Sequence, residues 1–177
     1  VFGTSHRQMK EPAGGLYSLE SGAITRLDDD IFLGNGPCWS LDGRTLYHAD
    51  SLRHTIYAYD YDPQTGRASG RRPFFDTSPW GPIPDGATVD ADGNLWSAIC
   101  DGGVVLCIAP SGEVLREVAM PVACPASVMF FGPELDRLFV PSIDPSFLGR
   151  PATDDDGACF VIEGLGVKGL AEPRYRG

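Results

Sequence analysis

The sequence predicts an all-β fold of the propeller type, because strand-like segments and turns recur at a fixed interval along the chain. The motif Asn35-Gly36-Pro37 is matched 50 residues later by Asp85-Gly86, and Gly43 is matched by Gly93 at the same interval. A period of about 40 to 50 residues built from short strands is typical of a propeller blade of four strands. No helical periodicity of useful length is present, and the 22 Gly and 15 Pro residues are too frequent for long helices.

The individual strands are predicted from alternation and β-rich composition. Near the start of the chain, 15–19 and 23–27 form a hairpin closed at Glu20-Ser21-Gly22. The segment 103–108 is nearly all apolar, which indicates a strand buried on both faces between neighbouring blades, whereas 114–118 is more polar and suits an outer strand. Further strands are predicted at 46–49, 55–60, 94–99, 135–140 and 158–162.

The repeat divides the chain into one incomplete propeller domain. Residues 1–34 are the end of a blade, 35–83, 84–123 and 124–163 are three further blades, and 164–177 are a tail. At about 45 residues per blade, the chain supplies fewer than four complete blades. An open arc of blades would expose unpaired strand edges, and the chain begins inside a strand-like segment. We therefore expect a portion of a longer propeller, whose missing amino-terminal half comes from the same parent chain or from a second chain.

Composition limits the possible partners and compartment. The net charge of −10 makes nucleic acid and anionic membrane surfaces poor partners, and no apolar run is long enough to span a bilayer. The five cysteines include no Cys-x-x-Cys pair, and Cys38, Cys100, Cys107 and Cys124 lie in or beside apolar strand-like runs. This pattern favours small buried residues in a reducing compartment, the cytoplasm by default, over a disulfide framework or a zinc site.

Two oxygen-bearing side chains occupy equivalent points of consecutive repeats. Asn35 and Asp85 each precede a glycine at the start of a strand, so both could face one central axis and offer oxygens to a hard cation. The alternative is ordinary turn formation, for which Asn-Gly and Asp-Gly are common. Asp50 follows the second strand of its blade and could either cap a turn or orient a metal ligand through a hydrogen bond.

These motifs together resemble a known family. Asn35-Gly36-Pro37, then Ala49-Asp50-Ser51, then Ile83-Pro84-Asp85-Gly86 are similar to segments of the regucalcin, gluconolactonase and luciferin-regenerating enzyme family. The resemblance implies an all-β, six-bladed β-propeller, of which this chain supplies about three to four blades. It also implies one divalent cation (calcium, magnesium, zinc or manganese) at the top of the channel, with Asn35 and Asp85 as metal ligands. The family's metal-binding Glu and its substrate-contacting Arg and Asn would lie upstream of Val1.

The resemblance also points to candidate substrate contacts. The polar loop 5–11, with His6 and Arg7, matches a region where members place a substrate contact. Trp80 lies in a proline-stiffened loop directly before Asp85 and could form a wall of the substrate pocket, or equally could plug the end of a blade. His48 alternates within a strand and is expected to be packed rather than catalytic.

The implied function is metal-dependent hydrolysis of a small sugar lactone. A divalent cation would polarise the lactone carbonyl, and Asp85 is the candidate both for metal ligand and for general base. Because cation binding lowers the basicity of a carboxylate, the base could instead lie in the missing part of the propeller. Two alternatives remain: a non-catalytic calcium-binding or interaction propeller, and a hydrolase of another ester or an organophosphate on the same scaffold.

Overall fold

The computed structural model describes residues 1–172, apart from the side chains of residues 147 and 148. The described residues form four antiparallel sheets that follow one another along the chain, as expected for an all-β protein. Two short 3-10 turns, Ser51–Arg53 and Pro145–Leu148, are the only helical segments in this part of the chain, and no helix there is long and apolar enough to cross a membrane.

The two central sheets have four strands each and the two terminal sheets have three. The first sheet contains β1 (Phe2–Gly3), β2 (Gly14–Glu20) and β3 (Ala23–Ile31), and the second contains β4 (Gly34–Trp39), β5 (Thr45–Asp50), β6 (Thr55–Asp62) and β7 (Arg67–Asp76). The third contains β8 (Ile83–Val89), β9 (Leu95–Cys100), β10 (Val104–Ile108) and β11 (Val114–Ala119), and the fourth contains β12 (Met129–Phe131), β13 (Arg137–Pro141) and β14 (Cys159–Ile162). Within each sheet the strands pair in chain order.

Several strand predictions are confirmed. Strands β2 and β3 form the expected hairpin, closed where Glu20 pairs with Ala23. All five residues of β10 are buried, and they alternate between two separate apolar clusters, so this strand packs against a neighbouring sheet on each face. Strand β11 lies at the edge of its sheet and is largely exposed.

Apolar clusters between successive sheets hold the sheets face to face. Leu16 and Ile31 of the first sheet pack with Leu46 and Tyr59 of the second. A second cluster joins the second and third sheets, and a third joins the third and fourth sheets around the fully buried Trp96. Burying such side chains contributes about 1.5 to 3 kcal/mol each, which makes these interfaces the main source of stability.

The tail returns to the body of the protein. Leu165 joins the cluster between the third and fourth sheets, and Gly169 forms an isolated bridge with Asp90. The predicted tail 164–177 is therefore packed over its described part, while residues 173–177 lie outside the described residues.

The terminal sheets lack different strands. In the second and third sheets, one edge is the first strand in chain order (β4 or β8), here called the inner strand because it would line the channel of a propeller. The other edge is the last strand (β7 or β11), here called the outer strand. Strand β3 leads into β4 in the same way as β7 leads into β8, so the first sheet lacks the counterpart of β4 and β8. The fourth sheet begins with the inner strand β12 and, within residues 1–172, lacks the counterpart of β7 and β11.

Candidate metal centre at the inner strands

The inner strands β4 and β8 share a backbone irregularity next to the two predicted metal ligands. In β4 the register shifts between Asn35 and Cys38, and in β8 it shifts between Pro84 and Ala87. In each case three steps along the inner strand oppose two on its neighbour, which is a β-bulge. A bulge bends the strand and re-aims its side chains, so the same device turns the start of both strands.

Glycine allows the two bulges to come together. Gly36 has a φ of 54°, and a Cβ built on it would stand 2.6 Å from the carbonyl oxygen of Asp85. Only a residue without a side chain can occupy this position without displacing the neighbouring strand. The backbone next to Asn35 therefore lies directly against the backbone of Asp85.

Ser51 links Asn35 to Pro84, the residue before Asp85, by hydrogen bonds. Its hydroxyl donates to the carbonyl oxygen of Pro84 at 2.5 Å, and Asn35 Nδ2 donates to Ser51 Oγ at 2.9 Å. A carbonyl can only accept, so the single Ser51 proton goes to Pro84 and the Ser51 oxygen must take its second bond from an N–H donor. This logic fixes the Asn35 amide with its nitrogen toward Ser51, which leaves Oδ1, the atom a hard cation prefers, on the other side.

Asp85 is a half-buried carboxylate, and the ion pairs found among residues 1–172 do not include it. Burial raises its pKa to about 6, and the nearby Gly86 backbone opposes only part of that change. A carboxylate in such surroundings carries a desolvation cost that a nearby cation would relieve. The donor set of one amide oxygen and one carboxylate oxygen therefore fits a hard divalent cation.

A third inner strand borders the same place. Gly86 donates its N–H to the Ala126 carbonyl at 2.9 Å, and a Cβ built on Gly86 would lie 2.7 Å from the Cα of Ser127. Ser127 lies two residues before β12 and contacts Gly86 as Asp85 contacts Gly36, so its position in the fourth sheet's repeat corresponds to that of Asp85. Three consecutive repeats thus bring a polar side chain to one edge of the candidate centre.

Asp50 organises the backbone that leads to Asn35. It is fully buried, and its two carboxylate oxygens accept from the N–H groups of Phe32 and Leu33 at 3.0 and 3.1 Å. Arg53 Nη1 lies 3.3 Å from the same carboxylate. Asp50 therefore acts on the entry to β4 rather than on the Asn35 side chain, which is held by Ser51.

Trp80 lies between two outer strands. Its ring packs against Phe75 of β7 with a centroid distance of 5.3 Å, and Nε1 donates to Glu117 Oε1 of β11 at 2.7 Å. These contacts agree with the alternative of a plug at the end of a blade. A contact between Trp80 and substrate stays a prediction.

The loop that carries His6 and Arg7 starts near the candidate centre. Ser5 forms an isolated bridge with Leu33, two residues before Asn35. His6 is half-buried with Nε2 3.6 Å from Glu11 Oε1, and Arg7 is exposed. The contacts of the described residues do not link either side chain to the metal candidates, so their part in substrate binding stays a prediction.

The sequence interpretation missed two features. Ser51 belongs to the Ala49-Asp50-Ser51 motif, but nothing in its local sequence indicates a hydrogen bond to Pro84 on the next sheet. Cys100 and Cys124 are buried, as expected, but together with Asp101 they form a group whose ligand atoms all lie within 4.8 Å of one another.

Comparison with known protein sequences identifies a matching family and relatives within it. Residues 1–144 match the family described as "SMP-30/Gluconolactonase/LRE-like region". Human regucalcin is 37% identical over 180 residues, an alignment that covers 98% of this chain and 60% of the human protein. This chain therefore spans about three fifths of the length of that relative.

Solved structures agree in fold. A luciferin-regenerating enzyme superposes with a TM-score of 0.85 at 32% identity, covering 96% of this chain and 59% of that one. A regucalcin from Agrobacterium tumefaciens, described as a calcium-binding protein, gives a TM-score of 0.86 at 31% identity, covering 98% of this chain and 60% of that one. The predicted propeller-type fold is confirmed, and the chain belongs to the SMP-30/gluconolactonase/luciferin-regenerating enzyme-like family.

Proposed function

We propose that the complete protein is a divalent-metal-dependent lactonase acting on a small sugar lactone, with Asn35 and Asp85 among its metal ligands. The observation that carries this proposal is the link through Ser51 between the Asn35 side chain and the Pro84 carbonyl, directly before Asp85, at two neighbouring bulged strands. Calcium, magnesium, zinc and manganese are the candidate cations. The remaining ligands are expected from the part of the propeller that this chain does not include.

The chemistry assigned to this chain centres on Asp85. A divalent cation, when bound, supplies Lewis-acid polarisation of the lactone carbonyl. A carboxylate with a pKa of about 6 is partly protonated near neutrality and suits proton transfer from an attacking water. Since a bound cation favours the ionised form, Asp85 serves best as a ligand if the cation is always present, and the base then lies elsewhere.

We also propose that the missing blades cover the face of the fourth sheet that is turned away from the third sheet. Met129, Phe139 and Val161 stand opposite one another on β12, β13 and β14, and they are 53, 37 and 50% exposed. Such a row of apolar side chains resembles the faces that are buried between the other sheets. The intact mass of the native protein, compared with the 19.0 kDa of this chain, tests whether one parent chain supplies the cover.

The activity is tested with the protein carrying its complete native sequence. Lactone hydrolysis, measured as acid release and corrected for spontaneous opening, should stop with a chelator and return with added divalent metal. Asp85→Asn should lower turnover by about 10²- to 10⁴-fold. Asn35→Ala should act through metal affinity, so excess metal should partly restore its activity.

A matched control distinguishes the site from a general charge effect. Asp92 also precedes a glycine, but it is an exposed residue of the turn between β8 and β9. Asp92→Asn should leave turnover and metal affinity unchanged. Full activity of Asp85→Asn at saturating metal would remove Asp85 from the chemistry.

The second candidate function is a non-catalytic calcium-binding propeller. It is favoured by the description of the Agrobacterium relative as a calcium-binding protein, since the same oxygen donors would serve it. Metal binding without lactone turnover would support this alternative. Faster turnover of phosphotriesters than of lactones would instead support an organophosphate hydrolase.

We further propose a cytoplasmic location. All five cysteines have free thiols, four of them buried, which is consistent with a reducing compartment. Fractionation of the source cells with activity measured in each fraction tests this location.

A further inference from the structure

A second group of potential metal ligands lies beside the candidate centre. Cys100 ends β9, Asp101 follows it in the turn to β10, and Cys124 lies in the connection between β11 and β12. Both thiols are buried, the carboxylate is half-buried, and one ligand atom from each residue lies within 4.8 Å of the other two. The Cys124 thiol donates to Asp101 Oδ1 at 3.2 Å.

The backbone holds this group together without a ligand. Gly103 donates its N–H to the Ala123 carbonyl at 3.0 Å, which fixes the β9–β10 turn to the residue before Cys124. Ile143, in the connection after β13, donates its N–H to the Cys124 carbonyl at 2.9 Å. The three candidate metal ligands therefore come from two segments that are already joined by hydrogen bonds. A bound cation would need to restrict little further backbone motion, so the entropic cost of binding is small.

The donor set differs from that of the inner strands. Two sulfur atoms and one carboxylate oxygen suit a thiophilic ion, whereas calcium and magnesium take oxygen ligands. Zinc binds thiolate sulfur at about 2.3 Å and carboxylate oxygen at about 2.0 to 2.2 Å, and three protein ligands leave a fourth tetrahedral position for water. Tetrahedral ligands at those lengths are about 3.5 to 3.8 Å apart, so the observed spacing needs only small side-chain shifts.

We propose that Cys100, Asp101 and Cys124 form a binding site for a thiophilic divalent cation such as zinc, separate from the Asn35 and Asp85 centre. Binding requires both thiols to lose their protons, which are released to solvent. It also requires Asp101 to share or exchange its bond with Arg150, whose Nη2 lies 2.7 Å from Oδ1. Arg150 is exposed, so its side chain can turn into solvent.

The bound ion would fasten the third sheet to the start of the fourth. Cys100 on β9 pairs with Ile83 on β8, two residues before Asp85, so the pairing of these two strands joins the two centres. An ion at the cysteines would therefore stabilise the strand that carries Asp85 without contacting the lactone site through its own ligands.

The probe is cadmium alone, added to the complete native protein kept reduced by a phosphine. Cadmium bound to thiolates produces an ultraviolet charge-transfer band, which should saturate at one ion per chain and fall when zinc is added. Cys100→Ser and Cys124→Ser should each abolish the band. Cys159→Ser is the matched control, because that thiol is exposed and outside the group, and it should leave the band unchanged.

Two further variants keep the result interpretable. Asp101→Asn retains the shape of the side chain but removes its charge, and it should weaken cadmium binding by at least about tenfold even if the serine variants fold poorly. Asp85→Asn should leave the cadmium band intact, which separates this site from the proposed lactonase centre. Absence of the band, a band unchanged by Cys124→Ser, or its loss in Asp85→Asn would each overturn the proposal.

Discussion

Replacing Gly36 by alanine tests whether the close approach of β4 and β8 builds the metal centre. The residue has a φ of 54°, and the left-handed conformation costs a residue with a Cβ about 1 to 2 kcal/mol. The added Cβ would also stand 2.6 Å from the Asp85 carbonyl oxygen and 3.0 Å from the Ala87 Cβ. Overpacking of this kind costs about 1 to 3 kcal/mol more, so Gly36→Ala should lower the free energy of unfolding by about 2 to 5 kcal/mol.

Gly43→Ala separates the two contributions. Gly43 has a φ of 66°, but no atom lies within 4 Å of a Cβ built there, so this variant carries the conformational cost alone. Urea unfolding measures both variants, and isothermal titration measures their divalent-metal affinity. Gly36→Ala should be less stable than Gly43→Ala by about 1 to 3 kcal/mol and should alone bind metal more weakly. Equal stability losses and equal metal affinities would refute the argument that this contact positions Asp85.

Three further predictions concern titratable groups that are buried or half-buried. Because the pKa of Asp85 is raised to about 6, protons compete with the cation for its carboxylate. The metal dissociation constant measured by titration should therefore rise about tenfold from pH 7 to pH 5, and Asp85→Asn should lose this pH dependence. Asp50→Asn keeps one acceptor but places an NH₂ group against the N–H of Phe32 or Leu33. It should therefore cost about 1 to 3 kcal/mol in urea unfolding and weaken metal binding by about 10- to 100-fold, and an unchanged free energy of unfolding would contradict this role. Burial lowers the pKa of His48 from 6.5 to about 4. Keeping this side chain neutral therefore contributes about 3 kcal/mol to the free energy of unfolding above pH 6.5, and this contribution is lost as the pH falls toward 4. A His48→Asn variant with the same pH dependence of unfolding would contradict this account.

The predictable parts of the structure are those that depend on the pattern of residues within a single segment. The continuous apolar run of β10 indicated burial on both faces, and alternation indicated that His48 is packed, which its complete burial confirms. The 50-residue interval singled out Asn35 and Asp85, because a repeated blade places equivalent residues on the same axis. Whether they bind metal stays a prediction.

The parts that were missed depend on contacts between distant segments. Ser51 reaches Pro84 across 33 positions, and Cys124 reaches Asp101 across 23. Such pairings depend on how two blades are rotated against each other and on which side a bulge faces, and neither quantity has a sequence period. For Trp80, the sequence left pocket wall and blade plug equally open, and its contacts with Phe75 and Glu117 on the two outer strands favour the plug.

The unequal terminal sheets have a consequence for the 177-residue chain when it is produced alone. The first sheet lacks the counterpart of β4, and the fourth sheet, within residues 1–172, lacks the counterpart of β7, so the uncovered faces of these two sheets are different surfaces. Association through two different surfaces is heterologous and proceeds head to tail. Copies of this piece should therefore add end to end into rings or helical filaments rather than form two-fold dimers, with a size distribution that grows with concentration.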